Sequence, residues 1–377
     1  MSQTPEIPEV ITVTRPYFPD KYVLSKYLDG IYNSKTLTNN GPLLQDLEQF
    51  LGNFHGMNSP VVVCNGTMGL TLSLKTLEID GDVITTPFSF IATASSIAFN
   101  NIKPIFVDID PDTFNIDPSK IEQAITNDTQ AIVATHIFGN PCDTEAILTI
   151  AKKHDLKVVF DAAHAFGVKY KGRSIFEYGD LSVLSMHATK LFHTVEGGAI
   201  FSTNKVYKKK IKILRNFGFN EEYDIKEVGI NGKCSEVHSA FGLAYADDIP
   251  SILARRKEQY KLYQTLIKSK KIKFQQISCD PEEYNYAYMP IVLESEEVLL
   301  EVTEMLNKNN IEPRRYYYPS LDKMYSDSQS QFDLRVTDKL SETILCLPLY
   351  HDLSIFEIVK ICNIVNEVVA VPTQILT

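Results

Sequence analysis

Apolar residues in the first two-thirds of this chain come in short bursts separated by longer mixed stretches. Val61-Val62-Val63-Cys64, Val83-Ile84, Ile105-Phe106-Val107, Ala131-Ile132-Val133-Ala134 and Val158-Val159-Phe160 are short, continuous and rich in β-branched residues. Such runs predict buried strands. Between them, Leu70, Leu72, Leu74 and Leu77 predict a helix opening at Asn65-Gly66-Thr67, and helical patterns recur at 117–125 and 143–154. Strands alternating with helices predict an α/β fold with a mainly parallel sheet covered on both faces. Ligands of such sheets bind at the carboxyl ends of the strands.

The pattern changes near Asp247-Asp248-Ile249-Pro250. A charged helix is expected over 251–269, then strands at 272–277 and 286–293 and a helix at 295–308. A Pro-Arg-Arg-Tyr-Tyr-Tyr-Pro segment follows, then a strand at 343–347 and a helix at 354–369. The chain therefore reads as a large domain over 1–249 and a smaller α+β domain over 250–377.

Composition narrows the function. A hydrophobic content of 44% over 377 residues is that of a globular protein with a large core. No apolar run approaches the ~20 residues that span a bilayer. The N-terminus lacks a basic stretch followed by an apolar one, so no secretory signal is expected. The six cysteines form no CxxC pair, which favours reduced thiols, a cytoplasmic location and no metal site. A net charge of −10 argues against nucleic acid as a partner. GxGxxG and GxxxxGK[ST] loops are absent.

The chemistry concentrates at three predicted strand ends. Lys157 to Phe160 runs into Asp161-Ala162-Ala163-His164, and Leu181 to Leu184 runs into Ser185-Met186-His187-Ala188-Thr189-Lys190, followed by Glu196-Gly197-Gly198. A lysine facing an acid suits pyridoxal 5'-phosphate (PLP): the amine bonds to its aldehyde and the carboxylate keeps its ring nitrogen protonated. Gly66, Thr67 and Met68 open a helix whose free N–H groups suit a phosphate, although Asn and Thr there also read as an ordinary cap. Singly, Asp161 reads rather as a turn residue, His164 as a structural histidine and Lys190 as a solvated lysine. Phe88 and Phe90 suit core packing as well as stacking on a flat ring. Arg314, Arg315, Tyr316, Tyr317 and Tyr318 suit a nucleotide diphosphate, or else pack the small domain.

Taken together, these segments resemble the DegT/StrS-type family of PLP-dependent sugar-nucleotide aminotransferases. Asn65-Gly66-Thr67, Thr86-Pro87-Phe88-Ser89-Phe90, Asp161 to Ala165, Ser185 to Lys190, Glu196-Gly197-Gly198, Leu214 to Gly218 and Asn231-Gly232-Lys233 carry the likeness in order along the chain. The resemblance implies an aspartate-aminotransferase-like fold (fold type I). It implies that Lys190 bonds the cofactor and shuttles protons, Asp161 partners the pyridine nitrogen and His164 contacts the ring hydroxyl. It assigns Thr67, the Met68 amide and Ser185 to the phosphate, Phe90 to ring stacking, and Asn231 to the phosphate in a neighbouring subunit of a homodimer. Phrases at 37–42, 187–190, 229–233 and 314–321 further imply a dTDP-linked 4-keto-6-deoxyhexose, aminated at C4 with L-glutamate for a surface glycan such as O-antigen lipopolysaccharide. Other regiochemistry or C4 stereochemistry is the alternative. A dehydratase on this fold carries histidine at the lysine position, which Lys190 disfavours. A non-catalytic regulator is disfavoured by the complete set of residues.

Overall fold

The computed structural model describes residues 10–220, 222, 224–325 and 332–370. The chain opens with β1 (Ile11–Thr12), α1 (Lys21–Ser34) and α2 (Pro42–His55), then β2 (Val61–Val63) and α3 (Gly66–Thr76). Next come β3 (Asp82–Thr85), α4 (Ile91–Phe99), β4 (Pro104–Phe106), α5 (Pro118–Ala124), β5 (Thr129–Thr135), α6 (Thr144–Lys153) and β6 (Lys157–Asp161). A small hairpin, β7 (Lys169–Tyr170) with β8 (Arg173–Ser174), precedes β9 (Leu181–Ser185), β10 (Gly198–Phe201), α7 (Lys205–Leu214) and α8 (Glu236–Leu243).

Seven of these strands form one sheet in the order β2-β10-β9-β6-β5-β3-β4. Only β10 runs antiparallel to its neighbours. Successive strand residues alternate between two cores, as the pleat requires. Val61, Val63, Val83, Val133, Val159 and Val183 face α3 and α7, while Val62, Ile84, Ile132, Val158 and Phe160 join the core containing α2 and α6. Side chains cap many of the helices: Asn65, Asp143, Asn204 and Ser235 each accept an N–H from the first turn.

From residue 249 the chain builds α9 (Ile249–Leu266), β11 (Lys273–Phe274), β12 (Met289–Val292), α10 (Glu296–Lys308), β13 (Ile311–Glu312), α11 (Leu321–Met324), α12 (Arg335–Thr343), β14 (Ile344–Leu347) and α13 (Ile355–Ala370). β11, β12 and β14 form a three-stranded antiparallel sheet. β1 lies apart from the large sheet and pairs in parallel with β13. The start of the chain thus belongs structurally with the C-terminal region.

Two strands are shorter than their apolar runs suggest, for a reason that matters to the site. After Phe274, the Gln275 side chain donates to Thr113 O and Ile137 O (2.8 and 3.2 Å), so the chain leaves the ladder for the large domain. Before β12, Asn285 donates to His164 O and Phe166 O (2.8 and 2.9 Å), laying residues 284–288 over the loop after β6.

Candidate active site

The parallel strands end along one edge of the sheet, and the turns that follow them enclose a cavity of about 400 Å³. Asn65, Gly66 and Thr67 follow β2, Ser89 and Phe90 follow β3, and Thr135 ends β5. Asp161 and His164 come from the end of β6, Ser185 and Lys190 from the end of β9, and Glu196 precedes β10. The C-terminal region closes the other side with Tyr288, Arg314, Tyr316 and Tyr317.

Asp161 is buried, and its Oδ2 accepts from Thr93 Oγ1 at 2.7 Å while Oδ1 accepts from the Ala163 N–H at 3.2 Å. Ser89 Oγ lies 2.8 Å from Thr93 Oγ1 and 3.2 Å from Thr135 Oγ1. A hydroxyl carries one proton. Because Thr93 gives its own to Asp161, Ser89 must donate to Thr93 and Thr135 to Ser89. The chain of hydroxyls is therefore directed at the carboxylate. Burial raises the Asp161 pKa; the bonds from Thr93 and Ala163 and the charge of Lys190 oppose the rise. Such a carboxylate gains from a cationic N–H in the cavity.

Burial pushes Lys190 down to about 8, with Asp161 opposing and Arg314 adding to the shift. A neutral amine, usable as nucleophile and base, is thus populated near neutral pH. His164 is held well below its ordinary value by burial first and Lys190 second, so it is a neutral imidazole. Its Nδ1 is buried without a hydrogen-bond partner among the described residues.

At the turn after β2, Gly66 and Thr67 begin α3, so their N–H groups have no intrahelical partner. A side chain at Gly198 would put its Cβ 2.5 Å from the Asn65 carbonyl carbon, so glycine lets β10 press the turn against Ser185. Phe90 is 53% exposed, its ring available to the cavity, whereas Phe88 is fully buried edge-on against Tyr317.

Three expected positions stand elsewhere. The Met68 N–H is not free for a phosphate, because the Asn65 side chain caps it at 2.8 Å. Arg315 does not face the cavity: its guanidinium pairs with Glu296 at 2.6 Å, donates to Ser341 O and Glu342 O, and lies over the Tyr318 ring. Tyr318, half exposed beneath it, is likewise off the cavity wall. Asn231 is exposed and outside its own chain's cavity, in a loop tied to the end of β2 by Cys64 N–H donating to Gly232 O (2.8 Å). Conversely, Thr93, Ser89, Thr135 and Tyr288 belong to the site without having been singled out for it.

A buried carboxylate directed at the cavity, a depressed lysine, an unpartnered imidazole nitrogen, an exposed aromatic face and a helix N-terminus fit PLP. On this fold they define a PLP enzyme of fold type I. A model of the DegT/DnrJ/EryC1/StrS aminotransferase family matches residues 22–366. The chain belongs to that family and is a PLP-dependent aminotransferase. It is 42% identical, over 95% of its length and 99% of the relative's, to dTDP-4-amino-4,6-dideoxy-D-glucose transaminase of Shigella dysenteriae. The solved structure of DesI with its TDP-sugar product superposes with a TM-score of 0.89 at 29% identity, over 96% of this chain and 93% of that one. Spr1654 from Streptococcus pneumoniae in its PLP-form gives 0.87 at 26% identity, over 96% and 98%. Among the described residues, no helix is long and apolar enough to cross a membrane and no His/Cys/Asp/Glu group is arranged for a metal.

Proposed function

We propose that the protein converts dTDP-4-keto-6-deoxy-D-glucose to dTDP-4-amino-4,6-dideoxy-D-glucose, with L-glutamate as amino donor. The observation that carries this reading is the identity of 42% with the Shigella dysenteriae transaminase across nearly both whole chains. The likeness to DesI, solved with a TDP-sugar product, supports the same substrate class. We further propose a homodimer with shared sites, a cytoplasmic location in keeping with six free cysteines, and a product destined for a surface glycan.

PLP bound in the cavity supplies an electron sink for the carbon that loses its proton. Asp161, its carboxylate accepting from the Thr135–Ser89–Thr93 chain, would hold a proton at the ring nitrogen. With the cofactor bound, Lys190 Nζ would carry a proton from the glutamate α-carbon to the cofactor in the first half-reaction and from the cofactor to C4 of the sugar in the second. Thr67 and Ser185, with the N–H groups of Gly66 and Thr67, offer donors to phosphate. Arg314 lies over the Tyr316 ring (4.9 Å) and faces the cavity from the small domain, placed to take an anionic group of either substrate.

The test is product analysis. The enzyme is incubated with glutamate and, separately, dTDP-linked 3-keto and 4-keto sugars and a GDP-linked 4-keto sugar, and each product is identified by NMR. The proposal expects turnover of the dTDP-4-keto sugar to the gluco amine. Turnover of the 3-keto sugar alone overturns the regiochemistry; an axial C4 amine overturns the stereochemistry; preference for the GDP sugar overturns the nucleotide.

A further inference from the structure

Tyr288 reaches the active site from the segment that leaves the small sheet just before β12. Its hydroxyl lies 3.4 Å from Lys190 Nζ and 3.4 Å from His164 Nε2. The ring is wedged between His164 (centroids 4.7 Å apart), Phe138 (5.3 Å) and Tyr316 (5.8 Å, perpendicular). Packing therefore fixes where the hydroxyl sits. Both contacts are long for hydrogen bonds.

The supply of protons gives these contacts a direction. Lys190 Nζ donates to the Tyr288 oxygen. Burial raises the Tyr288 pKa, so the phenol keeps its single proton. With the oxygen engaged by Lys190, that proton is available to His164 Nε2. His164 is neutral and carries one N–H. If Nε2 accepts, the proton must reside on Nδ1, the atom left without a partner. The partner of one imidazole nitrogen sets the role of the other.

We propose that Tyr288 is a positioning residue that fixes His164 in its Nδ1-protonated tautomer, offering one N–H donor to an anionic oxygen of the bound cofactor, while seating the Lys190 amine. The identity of that acceptor rests on the PLP reading above; the tautomer does not. The relay runs Lys190 to Tyr288 to His164, so a residue just before β12 touches both catalytic-site side chains.

The experiment is Tyr288→Phe, which keeps the packed ring and removes only the hydroxyl. Histidine ring nitrogens are labelled with 15N in the full-length protein, with and without PLP, and His164 is assigned through His164→Gln. The wild type is expected to show protonated Nδ1 and bare Nε2, and Tyr288→Phe to move protonation toward Nε2. Loss of one hydrogen bond of this kind predicts a fall in kcat of about tenfold, with KM for glutamate within about twofold. A glutamine amide supplies a donor without any tautomer to choose. In a His164→Gln background the further change Tyr288→Phe should therefore cost clearly less, which a merely structural role would not produce. Nε2-protonated His164 in the wild type, or the same tautomer in both proteins, overturns the proposal. Absence of PLP binding by the wild type would sink the aminotransferase reading and leave the tautomer result to stand by itself.

Discussion

Lys190 is held in a form that disfavours the folded state, and the sign can be worked out. Its pKa is about 8 in the folded protein against 10.5 when free. Between those values the unfolded chain binds the proton and the folded one does not, so stability rises with pH across this window. Below pH 8 the full penalty applies, at most about 3 kcal/mol at 1.36 kcal/mol per unit, because the side chain keeps some accessible surface. Lys190→Met in the cofactor-free enzyme should therefore raise the unfolding free energy near pH 7, with the gain shrinking toward pH 10.5. Denaturant titrations at pH 7 and 10 measure it; a gain independent of pH would assign the effect to packing instead. Turnover should be abolished in the same variant. Asp161→Asn should retain the cofactor but lose activity by about 10²–10³-fold, the scale of one electrostatic stabiliser. Near-normal turnover would mean that another group serves the ring nitrogen. Asp161 and Lys190 were readable from sequence because each follows its own strand within a few residues. Thr93 and Tyr288 were not, since they meet them across 68 and 98 residues and carry no local signature.

At the scale of elements, the motifs around residue 40 act through a helix end. α2 begins at Pro42 with no side-chain cap of its own. Glu236, from the first turn of α8 and almost wholly buried, accepts from the N–H groups of Leu43 and Leu44 (2.9 and 3.0 Å). A Cβ on Gly41 would lie 2.5 Å from the Glu236 carboxyl carbon, so the glycine in Asn40-Gly41-Pro42 admits that carboxylate. Glu236→Ala should destabilise by about 2–4 kcal/mol, because one buried and one half-buried N–H lose a charged acceptor. Gly41→Ala should destabilise in the same direction, and calorimetry of both variants checks it. An unshifted Tm in Glu236→Ala would show that water replaces the carboxylate. The Arg-Arg-Tyr-Tyr-Tyr run shows the limit of reading such motifs. Residues 314 and 315 are adjacent, yet one faces the cavity and the other is tied to Glu296 and two carbonyls. Sequence offered two arginines of equal promise, and only tertiary pairing separates them. Arg314→Ala should raise KM by about tenfold or more through a lost charge-assisted contact, whereas Arg315→Ala should lower Tm and leave KM near wild type. Equal KM effects would place both in substrate binding.

At the scale of the molecule, the alternation of strands and helices that builds the seven-stranded sheet was legible because hydrophobic periodicity is a local signal. The pairing of β1 with β13 was not, because nothing in a two-residue strand announces a partner far along the chain. Tyr22 and Tyr32 on α1, Leu37, and Ile225, Val228, Ile230 and Val237 toward α8 are all exposed. α1 and α2 both pack on α8, and the Glu236 N–H donates to Leu37 O, so the exposed residues of α1, Leu37 and Val237 lie together. Asn231 stands in the same region, outside its own cavity. Exposed apolar residues on α1 and α8, with Asn231 exposed outside its own cavity, suit a two-fold interface that lends Asn231 to the opposite site. In a mixed dimer of Lys190→Ala and Asn231→Ala subunits, one site carries both lesions. The other combines an intact Lys190 with the partner's intact Asn231. Mixing the two inactive variants under exchange should thus recover about a quarter of the wild-type rate, since half the dimers are mixed and each has one good site. Recovery requires that subunits exchange, which a size or charge tag on one variant verifies. Verified exchange without recovered activity, or full activity in a monomer, would place Asn231 outside the chemistry and confine each site to a single chain.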